Sequence, residues 1–308
     1  MQHQRDLTEF YGAYPFPALG FEGNTDYLDF IIRDVRRVMD PDTNGVWLDV
    51  GCGTGEIVCL MAEAFPGLRF HGVDLSQQSL DLARKHAEMR GVSDRITLES
   101  LDATSADFNE LLGGEKAAVI SGIGSLHYLP NMEEVVHRLF QCVRADGLFL
   151  LGVYGLQGRW RQEQLRQAIF TLLPNNSDFA ERQRLLIEEL LPHYRDLPVF
   201  KFLEQNFGGI ENVPDQWWQD TFLVPYERQF PAEKCYDLLQ ECGARSIAWL
   251  NEPGIDGVVQ GEEWRSRVAQ LPQRDRTRIL DRIAEPSFHY FAGSPSADLA
   301  VRIAAQAE

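Results

Sequence analysis

Residues 46 to 55, Val-Trp-Leu-Asp-Val-Gly-Cys-Gly-Thr-Gly, form an apolar run broken at Asp49 that passes into three glycines at alternate positions, with a helical pattern directly behind. That combination reads as a buried strand ending in a backbone cradle for a ligand. Glycines at 51, 53 and 55 let the chain turn sharply and leave no β-carbon between the backbone and whatever lies across it. A dinucleotide fingerprint would continue as Gly-x-Gly-x-x-Gly, with a free helix N-terminus aimed at a pyrophosphate. Here the sixth position is Glu56, and Asp49 stands just before the loop. Two carboxylates beside the turn repel a diphosphate and favour a cationic ligand.

Around this loop, apolar runs alternate with helical patterns. Strands are expected at 46–50, 68–73, 96–100, around Val119 and Ile120, and at 148–153, separated by helices at about 55–65, 77–90 and 133–143. Such alternation implies a parallel, doubly wound α/β sheet, and helices on both faces explain why the strands are apolar throughout. Ahead of it, a helix is expected from about Thr25 to Met39, capped by Asn24 or Thr25, with Tyr27, Phe30, Ile31, Val35 and Val38 at helical spacing. The leader Phe10-Tyr11-Gly12-Ala13-Tyr14-Pro15-Phe16-Pro17 reads as too broken for a helix and too apolar for a solvated tail. Behind the core, helical segments at 159–173 and 178–191 lead to an aromatic patch at Phe207, Trp217, Trp218 and Phe222, which is expected to be irregular. An unstructured loop of that length is improbable, so a helical lid is expected there. A helix at 234–242, strands at 246–250 and 288–292, and a partly helical insertion at 251–286 complete the chain. The expected division is an aromatic cap and helix at 1–40, a ligand-binding core at 41–155, a lid at 156–231 and the rest of the core at 232–308.

The 308 residues can bury a sizeable core, and 29 basic against 46 acidic side chains give a net charge of −17. Phosphate backbones and anionic lipid surfaces are therefore poor default partners. The five cysteines, 52, 59, 142, 235 and 242, show neither C-x-x-C nor metal-ligand spacing, which fits a reducing compartment. No apolar stretch approaches the ~20 residues that cross a bilayer, and the amino terminus has no signal-like core, so a cytoplasmic location is expected.

The run Leu48-Asp49-Val50-Gly51-Cys52-Gly53-Thr54-Gly55-Glu56 resembles the first motif of class I S-adenosylmethionine-dependent methyltransferases of the type 11/12-like kind. The resemblance covers roughly residues 45 to 155. It implies a seven-stranded, mostly parallel sheet and S-adenosylmethionine as cofactor, leaving as S-adenosylhomocysteine. It also implies that Asp49, Gly51, Gly53, Asp74 and Asp102 hold that cofactor, with Cys52, Leu75, Ala103 and Ser121 beside them. Asp74, at the end of the second strand, can accept both ribose hydroxyls, or it is a polar strand end before Ser76. Asp102 can accept from the adenine amine, or it is a turn acid. Tyr11 and Tyr14 can close over the donor from the leader, or they anchor it.

After the fourth strand, Leu126-His127-Tyr128-Leu129-Pro130 is similar to a run that borders the methyl-donor end in many small-molecule methyltransferases. His127 has a suitable proton affinity for a general base, and it can equally be a packed residue holding the loop. The start of that strand carries Ala117 and Ala118 where an acid is common. Tyr154, past the fifth strand, can orient an acceptor or simply cover the pocket. Arg159, Arg228, Trp217 and His289 are further lid or strand-end candidates. No metal site is indicated. The reading that follows is a methyltransferase acting on an O, N or C nucleophile of a small molecule, with a homodimer left open. Its alternatives are a peptide or protein acceptor, and a binding protein without turnover.

Overall fold

In the computed structural model the described residues are 2–17, 26–40, 42–173, 178–194 and 196–297. Their frame is a seven-stranded sheet in the order β3-β2-β1-β4-β5-β7-β6. The strands are β1 (Gly45–Val50), β2 (Leu68–Asp74), β3 (Ile96–Ser100), β4 (Ala117–Ile123), β5 (Val143–Tyr154), β6 (Ser246–Trp249) and β7 (Phe288–Ser294). The first five pair in parallel and β7 runs antiparallel to both of its neighbours. Every residue of β4 and all of β1 after Gly45 are buried. Their side chains feed two separate cores, with Val46, Leu48 and Val50 on one face and Trp47 on the other, where its ring lies 5.5 Å from Phe70. Strands covered on both faces need no polar alternation, and that is why these runs are apolar throughout.

The crossover helices α3 (Glu56–Ala64), α4 (Gln77–Met89) and α6 (Met132–Phe140) follow the expected order, as does α2 (Asp26–Val38) before the sheet, while the short α5 (Phe108–Leu111) has no counterpart among the expected helices. In α2, Ile31, Val35 and Val38 are buried as their spacing requires. Its expected caps Asn24 and Thr25, and the side chains of Tyr27 and Phe30, lie outside the described residues.

Two expectations are corrected. The leader is not too broken for a helix, because α1 spans Gln2–Ala13 and the Tyr14 N–H still bonds the Phe10 carbonyl at 2.9 Å. Pro15 lacks a donor and constrains only the residue before it, so it stops the helix without dissolving it. The aromatic patch is not irregular either. After α7 (Leu156–Leu172) and α8 (Phe179–Arg184), which runs on as a π-helical segment to Leu190, come α9 (Pro198–Phe207), α10 (Asp215–Trp218) and a second π-helical turn, Gln219–Leu223. A π turn admits an extra residue, which breaks the 3.6 period that sequence reading counts. These helices share a core of their own that includes Leu165, Ile169, Leu203, Trp217, Trp218 and Phe222. Beyond it, α11 (Ala232–Glu241) precedes β6, and α12 (Ile255–Val258), α13 (Glu262–Ala269) and α14 (Gln273–Ala284) fill the stretch before β7.

Candidate active site

The sheet order reverses between β1 and β4, and a crevice opens past the carboxyl ends of these strands. It continues as a cavity of about 530 Å³ running from the glycine loop to the helices after β5. Gly51, Gly53 and Gly55 all have positive φ. A β-carbon on Gly51 would stand 2.3 Å from Ser125 Cβ, and one on Gly53 would stand 2.6 Å from the Phe16 carbonyl oxygen. The loop is thus pressed between the turn after β4 and the leader, and only glycine fits there. Thr54 fastens the leader to it, donating through Oγ1 to the Pro17 carbonyl at 2.8 Å.

At the end of β2, Asp74 accepts the Gly53 N–H at 2.9 Å on one oxygen and the Ser76 N–H at 2.8 Å on the other. Burial raises its proton affinity and these backbone donors oppose the rise. The carboxylate lines the cavity and retains acceptor capacity beyond these backbone donors, which a ribose hydroxyl can use. Asp49 sits one layer below. Ser121 donates to it at 2.5 Å and in turn accepts from the Trp47 indole at 2.6 Å. Burial, opposed by Ser121 and reinforced by the charge of Asp74, pushes the Asp49 carboxyl up to about 7. Glu56 lines the cavity but does not act as an unmatched charge. Arg90 donates to its Oε1 at 3.1 Å, and His86 Nδ1 lies 3.2 Å from its Oε2. At the glycine-loop end the attraction for a cation therefore rests on Asp49 and Asp74.

Of the residues expected to hold a cofactor, Gly51, Cys52, Gly53, Asp74, Leu75, Ala103 and Tyr11 line the cavity, whereas Asp49, Asp102, Ser121 and Tyr14 are not among its walls. Asp102 lies beside Ala103 at the end of β3, with one oxygen accepting the Thr104 N–H at 2.9 Å and hydroxyl at 2.7 Å. Of the two catalytic candidates, Tyr154 lines the cavity and His127 does not. The His127 imidazole is wholly buried behind the rings of Tyr128 and Tyr154, at centroid distances of 4.1 and 4.2 Å. Burial, and next the charge of Arg159, drive its proton affinity well below the usual histidine range. The ring packs behind these tyrosines and does not reach the cavity wall.

The far end of the cavity holds a group that the sequence reading passed over. Asp220, in the second π turn, accepts the Tyr11 hydroxyl at 2.8 Å, the Tyr154 hydroxyl at 3.2 Å and the Tyr128 hydroxyl at 3.4 Å. Burial raises its carboxyl to about 6, against the pull of Tyr11 and Arg159. Arg159 lies 3.5 Å from the Tyr154 ring centroid and makes a buried, two-pronged pair with Glu227 at 3.0 and 3.2 Å. A single acid inside the run Trp217-Trp218-Gln219-Asp220-Thr221-Phe222-Leu223 was the available signal, because a buried acid needs partners and those come from three distant segments. Of the other candidates, Trp217 lines the cavity, Arg228 pairs with Glu133 on a more exposed surface, and His289 is buried 3.3 Å from Asp281. Among the described residues no group of histidine, cysteine and acidic side chains has the arrangement of a metal site, and no helix is long and apolar enough to cross a membrane.

Residues 48–149 match a family described as a methyltransferase domain. The release factor glutamine methyltransferase of Chlorobaculum tepidum is 40% identical over 86 residues, 28% of this chain and 28% of its own. An uncharacterized protein of Synechococcus is 27% identical over 299 residues, covering 92% of this chain and 70% of that one. Among solved structures, PKMT2 from Rickettsia typhi superposes with a TM-score of 0.64 at 18% identity, over 86% of this chain and 52% of that one. The same protein has been solved in complex with AdoHcy. The chain thus spans about half the length of that solved relative and under a third of the release factor enzyme.

Proposed function

We propose that this chain, in which residues 48–149 form a class I, S-adenosylmethionine-dependent methyltransferase domain, transfers the donor's methyl group to a small molecule held in the cavity that runs from Asp74 to Asp220. The observation that carries this reading is the continuity of that cavity. One end has the glycine cradle and the Asp74 carboxylate, and the other is walled by apolar side chains and a buried polar cluster around Asp220. Asp74 would hold the ribose, Leu75, Ala103 and Asp102 the adenine end, and the loop at Gly51 to Gly53 the amino-acid end, above Asp49 and Ser121. The donor supplies a sulfonium methyl. The protein aligns the acceptor with it and excludes water, the two contributions an in-line displacement needs.

A concave cavity lined by α1, the helices after β5 and mostly apolar side chains supports a small-molecule acceptor over a peptide segment. Turnover is favoured over donor binding alone because the cavity extends well past the cradle. Calorimetry tests the donor half: S-adenosylmethionine should bind and NAD should not. Asp74→Ala should weaken donor binding by about 1 to 3 kcal/mol through loss of buried hydrogen bonds. NAD binding without a response to the sulfonium, or unchanged donor affinity in Asp74→Ala, would refute the assignment.

A further inference from the structure

The acceptor end has a polar cluster whose hydrogen-bond bookkeeping restricts what can bind there. Asp220 Oδ1 accepts from Tyr11 and Tyr128, and Oδ2 accepts from Tyr154. A carboxylate offers about four acceptor positions, so at least one remains, on Oδ2, the Tyr128 proton being shared with the Tyr154 hydroxyl at 3.4 Å. The Tyr11 and Tyr154 hydroxyl protons are engaged by Asp220, so these hydroxyls offer the cavity lone pairs only. Arg159 is the one basic residue among the described walls; its Nε and Nη2 are committed to Glu227 and to the Thr221 carbonyl, and its charge is matched by Glu227. Around Asp220 the cluster therefore offers acceptors, and it carries one net negative charge, Asp220 and Glu227 against Arg159. A carboxylate or phosphate would meet uncompensated repulsion there. An alkylammonium would be held in its protonated form, which has no lone pair to attack with. A neutral hydroxyl meets both demands, since it has one proton to give to Oδ2 and its oxygen lone pairs remain for the methyl group. Val199, Leu203, Trp217 and Phe288 make the surrounding wall apolar.

We propose, building on the methyl-transfer reading above, that Asp220 is the proton acceptor of the reaction and that the substrate is an apolar-bodied molecule presenting an un-ionised hydroxyl to Asp220 Oδ2. In the step, the hydroxyl oxygen forms a bond to the methyl carbon as the carbon–sulfur bond breaks. The bonding pair leaves with sulfur, which becomes a neutral thioether, and the hydroxyl proton passes to Asp220. A sulfonium and a carboxylate are thereby both neutralised, and the low-dielectric cavity favours that loss of charge. The carboxyl, raised to about 6, is ionised at neutral pH yet basic enough to take the proton. The charged and titratable groups that face it are Tyr11 from α1, Tyr128 from the turn after β4, Tyr154 from β5, Arg159 from α7 and Glu227.

The test uses the full chain with three probes that share one ring body, 2-naphthol, 2-naphthylamine and 2-naphthoic acid. Binding of each is followed by calorimetry in the presence of S-adenosylhomocysteine, and methyl transfer is followed from a labelled donor. The naphthol should bind at least tenfold more tightly than either analogue and be the one methylated. Asp220→Asn should cut its turnover by about 100-fold while donor affinity stays within twofold. Preference for the amine or the acid, equal binding of all three, no binding of the naphthol, or full turnover in Asp220→Asn overturns the proposal. Wild-type selectivity is decisive even if the variant folds poorly. Absent donor binding by the wild type would instead remove the underlying methyl-transfer reading, so the two failures are distinguishable.

Discussion

Asp49→Asn separates the electrostatic role of the glycine loop from its shape. The wild-type carboxyl titrates near 7 when folded, against 3.8 for the free side chain, and burial is the main cause. A carboxyl whose proton is held more tightly in the folded state contributes stability that is complete below 3.8 and is lost as pH rises through 7. At about 1.4 kcal/mol per pH unit, this linkage lowers the stability of the donor-free fold, relative to its value below 3.8, by about 1.5 kcal/mol at pH 5, where the folded carboxyl is still protonated, and by about 4 at pH 8, where it is ionised. Asparagine does not titrate, and its carbonyl can still accept the Ser121 hydroxyl that now bonds Asp49. Urea unfolding of both proteins at the two pH values should therefore show the variant gaining about 2.5 kcal/mol on the wild type from pH 5 to pH 8. Asp220 and Asp281, both raised to about 6, and His289, lowered to about 4, titrate in both proteins and cancel in the comparison. The same substitution should weaken donor binding at pH 8, because the carboxylate that is costly without a ligand lies one layer beneath the loop and attracts a cation bound above it. A stability difference that does not change with pH would refute the buried, proton-poised carboxyl.

Gly51→Ala places its β-carbon 2.3 Å from Ser125 Cβ at a φ of 78°, so it should lower the melting temperature and abolish calorimetric donor binding; an unchanged melting curve would show that the loop can open. Arg159→Met strands a Glu227 carboxylate whose side chain is 2% exposed and should cost about 3 to 5 kcal/mol in urea unfolding, with Glu227→Gln added to it recovering a large part. Failure of the double variant to recover would mean that the arginine acts chiefly by packing on Tyr154. His127→Phe should retain turnover within a few-fold, since this ring does not line the cavity; a 100-fold loss at constant donor affinity would return it to the chemistry.

The strand positions, the glycine turn and Asp74 were legible in the letters because each follows from a local rule. A strand buried on both faces is apolar throughout, a turn with positive φ wants glycine, and a strand-end carboxylate sits at a fixed distance behind that turn. The helix at the leader was misjudged because prolines at 15 and 17 were allowed to count against residues they do not constrain. The acceptor end was hidden for a different reason. Asp220, Tyr11, Tyr128 and Tyr154 are spread over 209 positions between the first and the last, and the π turn around Asp220 removes the periodicity that would have flagged it. His127 looks like a base in one dimension and is a packed ring in three, since burial is a property of what other segments bring to it. The amino-acid order thus settled the sheet and the donor cradle, whose forces act within a few residues or one strand pairing. The tertiary structure decided which buried carboxylate lines the far end of the cavity and which charges are already matched, because Coulomb energy and desolvation depend on neighbours in space.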